Sequence, residues 1–120
     1  MIIGIGNDLI EIERVRKACS KEAFLSRIFT DREIEMYSKK PASLAGNFAV
    51  KEAVSKSFGT GFRGFEPKDI EVLRDESGKP YVNLYGGAVE VLKRTGGAKV
   101  YVSISNTKEY AAAVAVLEGE

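Results

Sequence analysis

The placement of two periodicities along the chain constrains its fold more than any other feature. Helical spacing dominates the first half and strand alternation dominates the second. Ile12, Val15 and Cys19 recur at i, i+3 and i+7, with Phe24, Leu25 and Ile28 as a further apolar cluster. Thr30-Asp31-Arg32-Glu33 is a capping box, Thr30 at the N-cap and Glu33 at N3, and opens a short helix through Tyr37. Pro41 suits a first helical residue, and the run from there to Phe58, rich in Ala, Leu, Lys and Glu, predicts one long helix stopped by Gly59-Thr60-Gly61. From Asp69 to Arg74 the pattern alternates, Ile70 and Val72 on one side and Glu71 opposite. Glu76-Ser77-Gly78-Lys79-Pro80 is a turn, and Tyr81 to Leu84 the returning strand. A short helix over Ala88 to Arg94 ends at Gly96-Gly97, and then Val100, Val102 and Ile104 face away from Tyr101, Ser103 and Ser105. Tyr110 to Leu117 is apolar on both faces, which predicts a strand at a sheet centre or an interface. Ile2, Ile3 and Ile5 form a short strand leading into Gly6-Asn7-Asp8. Strands and helices segregated in this way indicate an α+β fold, not a doubly wound parallel sheet.

The 120 residues predict one domain, 1–120, that buries roughly two-thirds of its unfolded surface. Basic residues number 18 and acidic residues 17, so the charge of +1 supplies no global field for nucleic acid or an anionic membrane. There is no histidine, which excludes Ser-His-Asp hydrolysis, Cys-His proteolysis and His-ligated zinc. Cys19 is the only cysteine, so no internal disulfide forms and a reducing compartment is favoured. The N-terminus lacks the basic start and long apolar run of a secretory signal, and the expected location is cytoplasmic. Catalysis would have to run on carboxylates, lysines and backbone amides, with or without a hard metal ion.

Four places offer such chemistry. Asp8 ends the first strand beside Gly4 and Gly6, whose missing side chains let a ligand approach; Glu11 follows. An acid starting a helix, complementing its dipole, explains the same spacing. Glu52 and Lys56 stand at i, i+4 on the long helix with Ser55 bordering that face, arranged to hold a metal and a phosphate together or to form an exposed ion pair. Gly59-Thr60-Gly61 can present amides to phosphate or simply cap the helix. Ser103, Ser105, Asn106 and Thr107 surround the last turn, as phosphate donors or as ordinary turn chemistry.

In their order and spacing, Gly4-Ile5-Gly6-Asn7-Asp8-Leu9-Ile10-Glu11 and the run from Phe48 through Lys51, Glu52, Ser55 and Lys56 to Gly61 resemble the two signatures of the 4′-phosphopantetheinyl transferases. Gly78-Lys79-Pro80, Val102-Ser103-Ile104-Ser105 and Thr107-Lys108-Glu109-Tyr110-Ala111-Ala112-Ala113 resemble the short bacterial type that acts on acyl carrier protein. The resemblance implies a small antiparallel-type sheet with segregated helices, in a compact homotrimer with shared active sites. It implies transfer of phosphopantetheine from coenzyme A to a serine of apo acyl carrier protein in fatty acid biosynthesis, with release of 3′,5′-ADP. Asp8 and Glu52 match its Mg²⁺ ligands and Lys56 its phosphate contact. Lys51, Ser55, Gly59, Gly61, Ser105, Asn106 and Thr107 fall on its coenzyme-binding stretches. Arg14 matches a contact to the acidic carrier, and Lys17 and Lys21 repeat its helical spacing on a basic face opposite Ile12, Val15 and Cys19.

Two positions depart from the family pattern: Asn47 replaces a basic residue and Asn106 a histidine, both associated with the coenzyme's phosphates. Lys39, Lys40 and Lys108 are the candidates to restore that charge. Open alternatives are a broader transferase serving polyketide or peptide synthase carriers, a non-catalytic coenzyme- or carrier-binding homologue, and a purely structural oligomer.

Overall fold

The computed structural model describes residues 1–120. Its organising element is the helix α4 (Pro41–Ser57), eleven of whose seventeen residues are buried. No single apolar stripe accounts for that, and a helix covered on nearly every side belongs inside a fold. Before it come strand β1 (Ile2–Glu11) and helices α1 (Ile12–Cys19), α2 (Glu22–Ile28) and α3 (Asp31–Tyr37). After it come β2 (Ile70–Arg74), β3 (Pro80–Leu84), α5 (Gly86–Thr95), β4 (Gly97–Asn106) and β5 (Tyr110–Gly119). The fold is α+β, with an antiparallel three-stranded sheet in the order β1-β5-β4 and a separate β2-β3 hairpin. The apolar β5 is the central strand, as its two-sided pattern predicts.

Two apolar clusters meet on α4. Ala49, Val50, Ala53, Val54 and Phe58 pack with Ala113, Ala115 and Leu117 of β5, Ile70 and Val72 of β2, and Ala88 and Val91 of α5. Leu44 and Ala45, one end along, pack with Val15, Ile28, Phe29, Tyr37, Leu73 and Ala111. The Thr30 capping box forms as expected: Glu33 N donates to the Thr30 hydroxyl at 3.2 Å and Thr30 N to Glu33 Oε1 at 3.1 Å.

The structure corrects two details. The first strand continues through Glu11, so Asp8 lies within β1 opposite Ala113 and not at its end. The first helical stretch is broken at Ser20, whose hydroxyl caps Lys17 O at 2.6 Å; Lys21 therefore begins α2 and does not continue the basic face of α1. Glu71, on the side of β2 opposite Ile70 and Val72, is buried as they are, under Thr30 at the start of α3. It accepts from the Thr30 hydroxyl at 2.7 Å, Asn83 Nδ2 at 3.2 Å and the Tyr85 hydroxyl at 3.1 Å.

One face of the three-stranded sheet packs on α4. The other is uncovered and apolar: Ile5 is 68% and Leu9 67% exposed, with Val114 and Tyr101 beside them. No helix is long and apolar enough to cross a membrane.

Candidate active site

Residues 4, 6, 8 and 10 of β1 alternate toward α4. A Cβ on Gly4 would collide with Ser57 O, and one on Gly6 with Ala53 O. These glycines therefore admit a helix rather than a ligand, which corrects the sequence-based expectation. They seat α4 so closely that the next inward side chain, Asp8, reaches the C-terminal half of the helix. Lys56 Nζ donates to Asn7 O at 2.9 Å and lies 3.5 Å from Asp8 Oδ1. The Asp8 side chain is 17% exposed and that of Lys56 52%.

Glu52, one turn before Lys56, completes the group. Burial pushes its carboxyl above the usual range, and the Asp8 charge adds to the shift while Lys56 opposes it. Two acids thus crowd together with one half-exposed ammonium as counter-charge. Nowhere in the protein, this site included, do three or more acidic, cysteine or histidine side chains come together as a metal-holding cluster; here the acids are two. Burial pushes the Cys19 thiol up to about 11, which keeps it protonated at neutral pH.

Other predicted positions are distributed differently. Lys51 is 1% exposed, and its ammonium bonds Glu33 Oε1 at 2.7 Å, Pro67 O at 3.1 Å and Ile70 O. All three of its donors are engaged inside the protein, so the expected coenzyme contact is withdrawn. Ser55 is also interior, its hydroxyl donating to Glu52 O at 2.6 Å, and it leaves the binding set for the same reason. Asn47 is fully buried, donating to Glu33 Oε2 and Val72 O and accepting from Arg74 Nη1 at 2.8 Å.

Gly59 and Gly61 take φ +79° and +62° in an exposed loop, with open space where a Cβ would point. That loop borders a cleft of about 450 Å³ lined by Thr60, Arg63 and Arg94. Spacing could not have revealed it, because Arg63 and Arg94 come from distant segments. Ser105 and Asn106 face opposite sides of β4; Asn106 lines a second cleft while Ser105 lies on the uncovered sheet face. The Thr107 hydroxyl accepts from Glu109 N and Tyr110 N and closes the turn. Lys39 and Lys40 are exposed, and Lys108 lines a cleft with Glu11, Glu13 and Glu109.

Arg14, Lys17 and Lys21 are exposed. Lys17 and Lys21 share a groove of about 600 Å³ between α1 and α2 with Phe24 and Arg27, while Arg14 lies outside it. Sequence spacing missed Phe24 and Arg27 because the break at Ser20 redirects the chain.

Comparison with known proteins agrees with this architecture. A family model described as the 4′-phosphopantetheinyl transferase superfamily matches residues 4–115. A holo-[acyl-carrier-protein] synthase of Lachnoclostridium phytofermentans is 52% identical over 98% of this chain and 97% of its own length. A Plasmodium yoelii acyl carrier protein synthase solved with ADP bound superposes with TM-score 0.89 at 32% identity, covering 100% of this chain and 97% of that one. The Helicobacter pylori holo-[acyl-carrier-protein] synthase in complex with coenzyme A has TM-score 0.83 and 31% identity, covering 95% and 99%.

Proposed function

The chain belongs to the 4′-phosphopantetheinyl transferase superfamily, and we infer from this that it transfers the phosphopantetheine arm of coenzyme A to a serine of apo acyl carrier protein, releasing 3′,5′-ADP. The observation that carries the assignment of the reacting centre is the meeting of Asp8, Glu52 and Lys56 where β1 crosses α4.

The donor set fits Mg²⁺. Two carboxylates that repel each other, one with its pKa raised, gain from a shared hard cation, and Mg²⁺ is commonly held by one or two carboxylates plus phosphate oxygens and waters. Bound there, it would neutralise charge developing on the pyrophosphate as its bond breaks. Glu52, the half-buried carboxylate of the group, or a water it holds, is the acceptor for the serine proton in a chain without histidine. Lys56, steered by Asn7 O and Asp8, holds an ammonium where the departing phosphate gathers charge.

The acidic carrier docks on the α1–α2 groove, where Lys17, Lys21 and Arg27 surround Phe24. Charges on this rim would make association salt-sensitive. The working form is a homotrimer with shared sites; the support is the uncovered apolar sheet face around Ile5, Leu9 and Val114. The compartment is the cytoplasm, where apo carrier and coenzyme A meet.

Incubating apo carrier with coenzyme A, Mg²⁺ and the protein, then weighing the carrier by mass spectrometry, tests the reading. The carrier is expected to gain one phosphopantetheine, and to gain almost none with Glu52→Gln. No gain with the unaltered protein would leave a non-catalytic binding homologue. Equal rates on polyketide or peptide synthase carriers would make it the broader transferase.

A further inference from the structure

The loop that follows α4 and the last turn of α5 enclose a cleft of about 450 Å³. Two arginines enter it from different walls, Arg63 from the loop and Arg94 from α5, with Thr60, Gly64, Val91 and Thr95 between them. No acidic side chain lines it, and neither does Lys56. Neither guanidinium pairs with a carboxylate or stands over an aromatic ring. Glu90, one turn before Arg94, lies 4.0 Å from Lys93 instead. Arg94 by itself is explained as a cation complementing the C-terminal end of α5. Arg63 belongs to no helix, so that explanation leaves it out.

The backbone supplies a second set of donors. From Thr60 to Phe65 no backbone N–H donates to an acceptor within the chain. The φ angle is +79° at Gly59, negative at Thr60, +62° at Gly61 and positive again at Gly64, +86°. Successive amides whose φ angles alternate in sign converge on one concavity, an arrangement that binds anions. Gly64 also makes room for Arg94: a Cβ there would come within 3.3 Å of Arg94 Nη2. The loop is seated on α5 at the same point, because a Cβ on Gly87 would collide with Gly64 O. The Thr60 and Thr95 hydroxyls already donate to Gly61 O at 2.9 Å and Leu92 O at 2.7 Å. The donors left in the cleft are two guanidinium forks and a run of amides, and the like charges repel until an anion enters. Such forks match the oxygens of a phosphate group.

We propose that Arg63, Arg94 and the amides of residues 60–65 form a second anion site, which takes inorganic phosphate or a phosphate monoester and is separate from the group at Asp8, Glu52 and Lys56. It goes beyond the transferase reading and does not depend on it, because its readout is binding.

Titrating the unaltered protein with inorganic phosphate, while following the amides of residues 60–65 and the arginine Nε–H groups by NMR, tests this. Saturable shifts at those positions are expected, with a Kd on the order of 1 mM. Sodium chloride at matched ionic strength is expected to leave them in place. Arg63→Gln and Arg94→Gln are each expected to weaken phosphate binding roughly 10-fold or more. Both side chains are exposed, so folding is not at stake. Glycerol 3-phosphate as the second probe decides the source: tighter binding than inorganic phosphate assigns the cleft to a monoester, weaker binding to the free ion. Calorimetric binding of 3′,5′-ADP is expected to be the same in the unaltered protein and both variants. A loss of 3′,5′-ADP binding in step with phosphate would hand the arginines to the coenzyme site and overturn the assignment. Equal shifts with chloride, or undiminished phosphate binding in both variants, overturn it too. If phosphate binds as expected while apo carrier gains no mass, the transferase reading fails and this site stands.

Discussion

Replacing Gly6 with alanine probes how the proposed reacting centre is built. The new Cβ would lie inside the contact distance of Ala53 O, 2.8 Å from Ser57 N and 2.9 Å from Lys56 Cβ. Ordinary contacts of this kind are about 3.5–4.0 Å, so α4 would have to retreat from β1 by about 1 Å. Overpacking on this scale costs about 1–3 kcal/mol, and a chain of this size then melts roughly 4–12 °C lower. One of the crowding atoms belongs to Lys56, so the displacement reaches the proposed reacting group directly. An error of about 1 Å in positioning is worth about 100-fold in rate. Thermal melting followed by a mass-based turnover assay measures both effects. Gly96→Ala is the control: Gly96 caps α5 at φ +81° with open space around it, so it is expected to lower the melting temperature while turnover holds. A Gly6→Ala protein melting within about a degree of the original, with turnover within about twofold, would refute the claim that these glycines set the distance between strand and helix.

Glu52→Gln should remove turnover and stabilise the fold. Because the folded carboxyl has a raised pKa, it favours the folded state below the ordinary carboxylate pKa and opposes it as pH climbs through the raised value. The gain in melting temperature is therefore expected at neutral pH and absent below about pH 4; a loss at neutral pH contradicts the crowding with Asp8. Lys51→Met strands the buried Glu33 carboxylate and is expected to cost about 3–5 kcal/mol in thermal melts, much of it recovered by adding Glu33→Leu. Unchanged melting with weakened coenzyme binding would return Lys51 to the active site. Arg27→Glu should raise the KM for carrier and flatten its salt dependence with kcat unaltered; an unchanged KM places the carrier elsewhere. If the uncovered sheet face is the interface of the proposed trimer, Val114→Glu should leave a monomer in light scattering, and a trimer that persists in the variant removes that face as its interface.

Much of this fold is legible because local rules agree with the global one. The Thr30 capping box, the glycine stop after α4 and the two-sided apolar pattern of β5 each act over a few residues. What escaped depends on neighbours the chain brings from afar. Lys51 and Ser55 flank Glu52 in the motif, but a helix buried nearly all round turns them inward, where Glu33 and backbone carbonyls absorb their donors. Gly4 and Gly6 announce close approach without saying of what; the partner is the helix backbone. Asn47 reads as a lost charge until Arg74, twenty-seven residues on, is found bonded to it.

The central position of β5 has a consequence for biogenesis. Its partners are β1, where Ile2 pairs with Glu118, and β4, joined to it by a short turn. Until β5 has left the ribosome, β1 has no strand to pair with, and the glycine-lined surface that receives α4 lacks its other half. Pairings between such distant segments form slowly, and unpaired strand edges invite association meanwhile. Chaperone dependence during synthesis should accordingly be concentrated before β5 emerges and end abruptly after it.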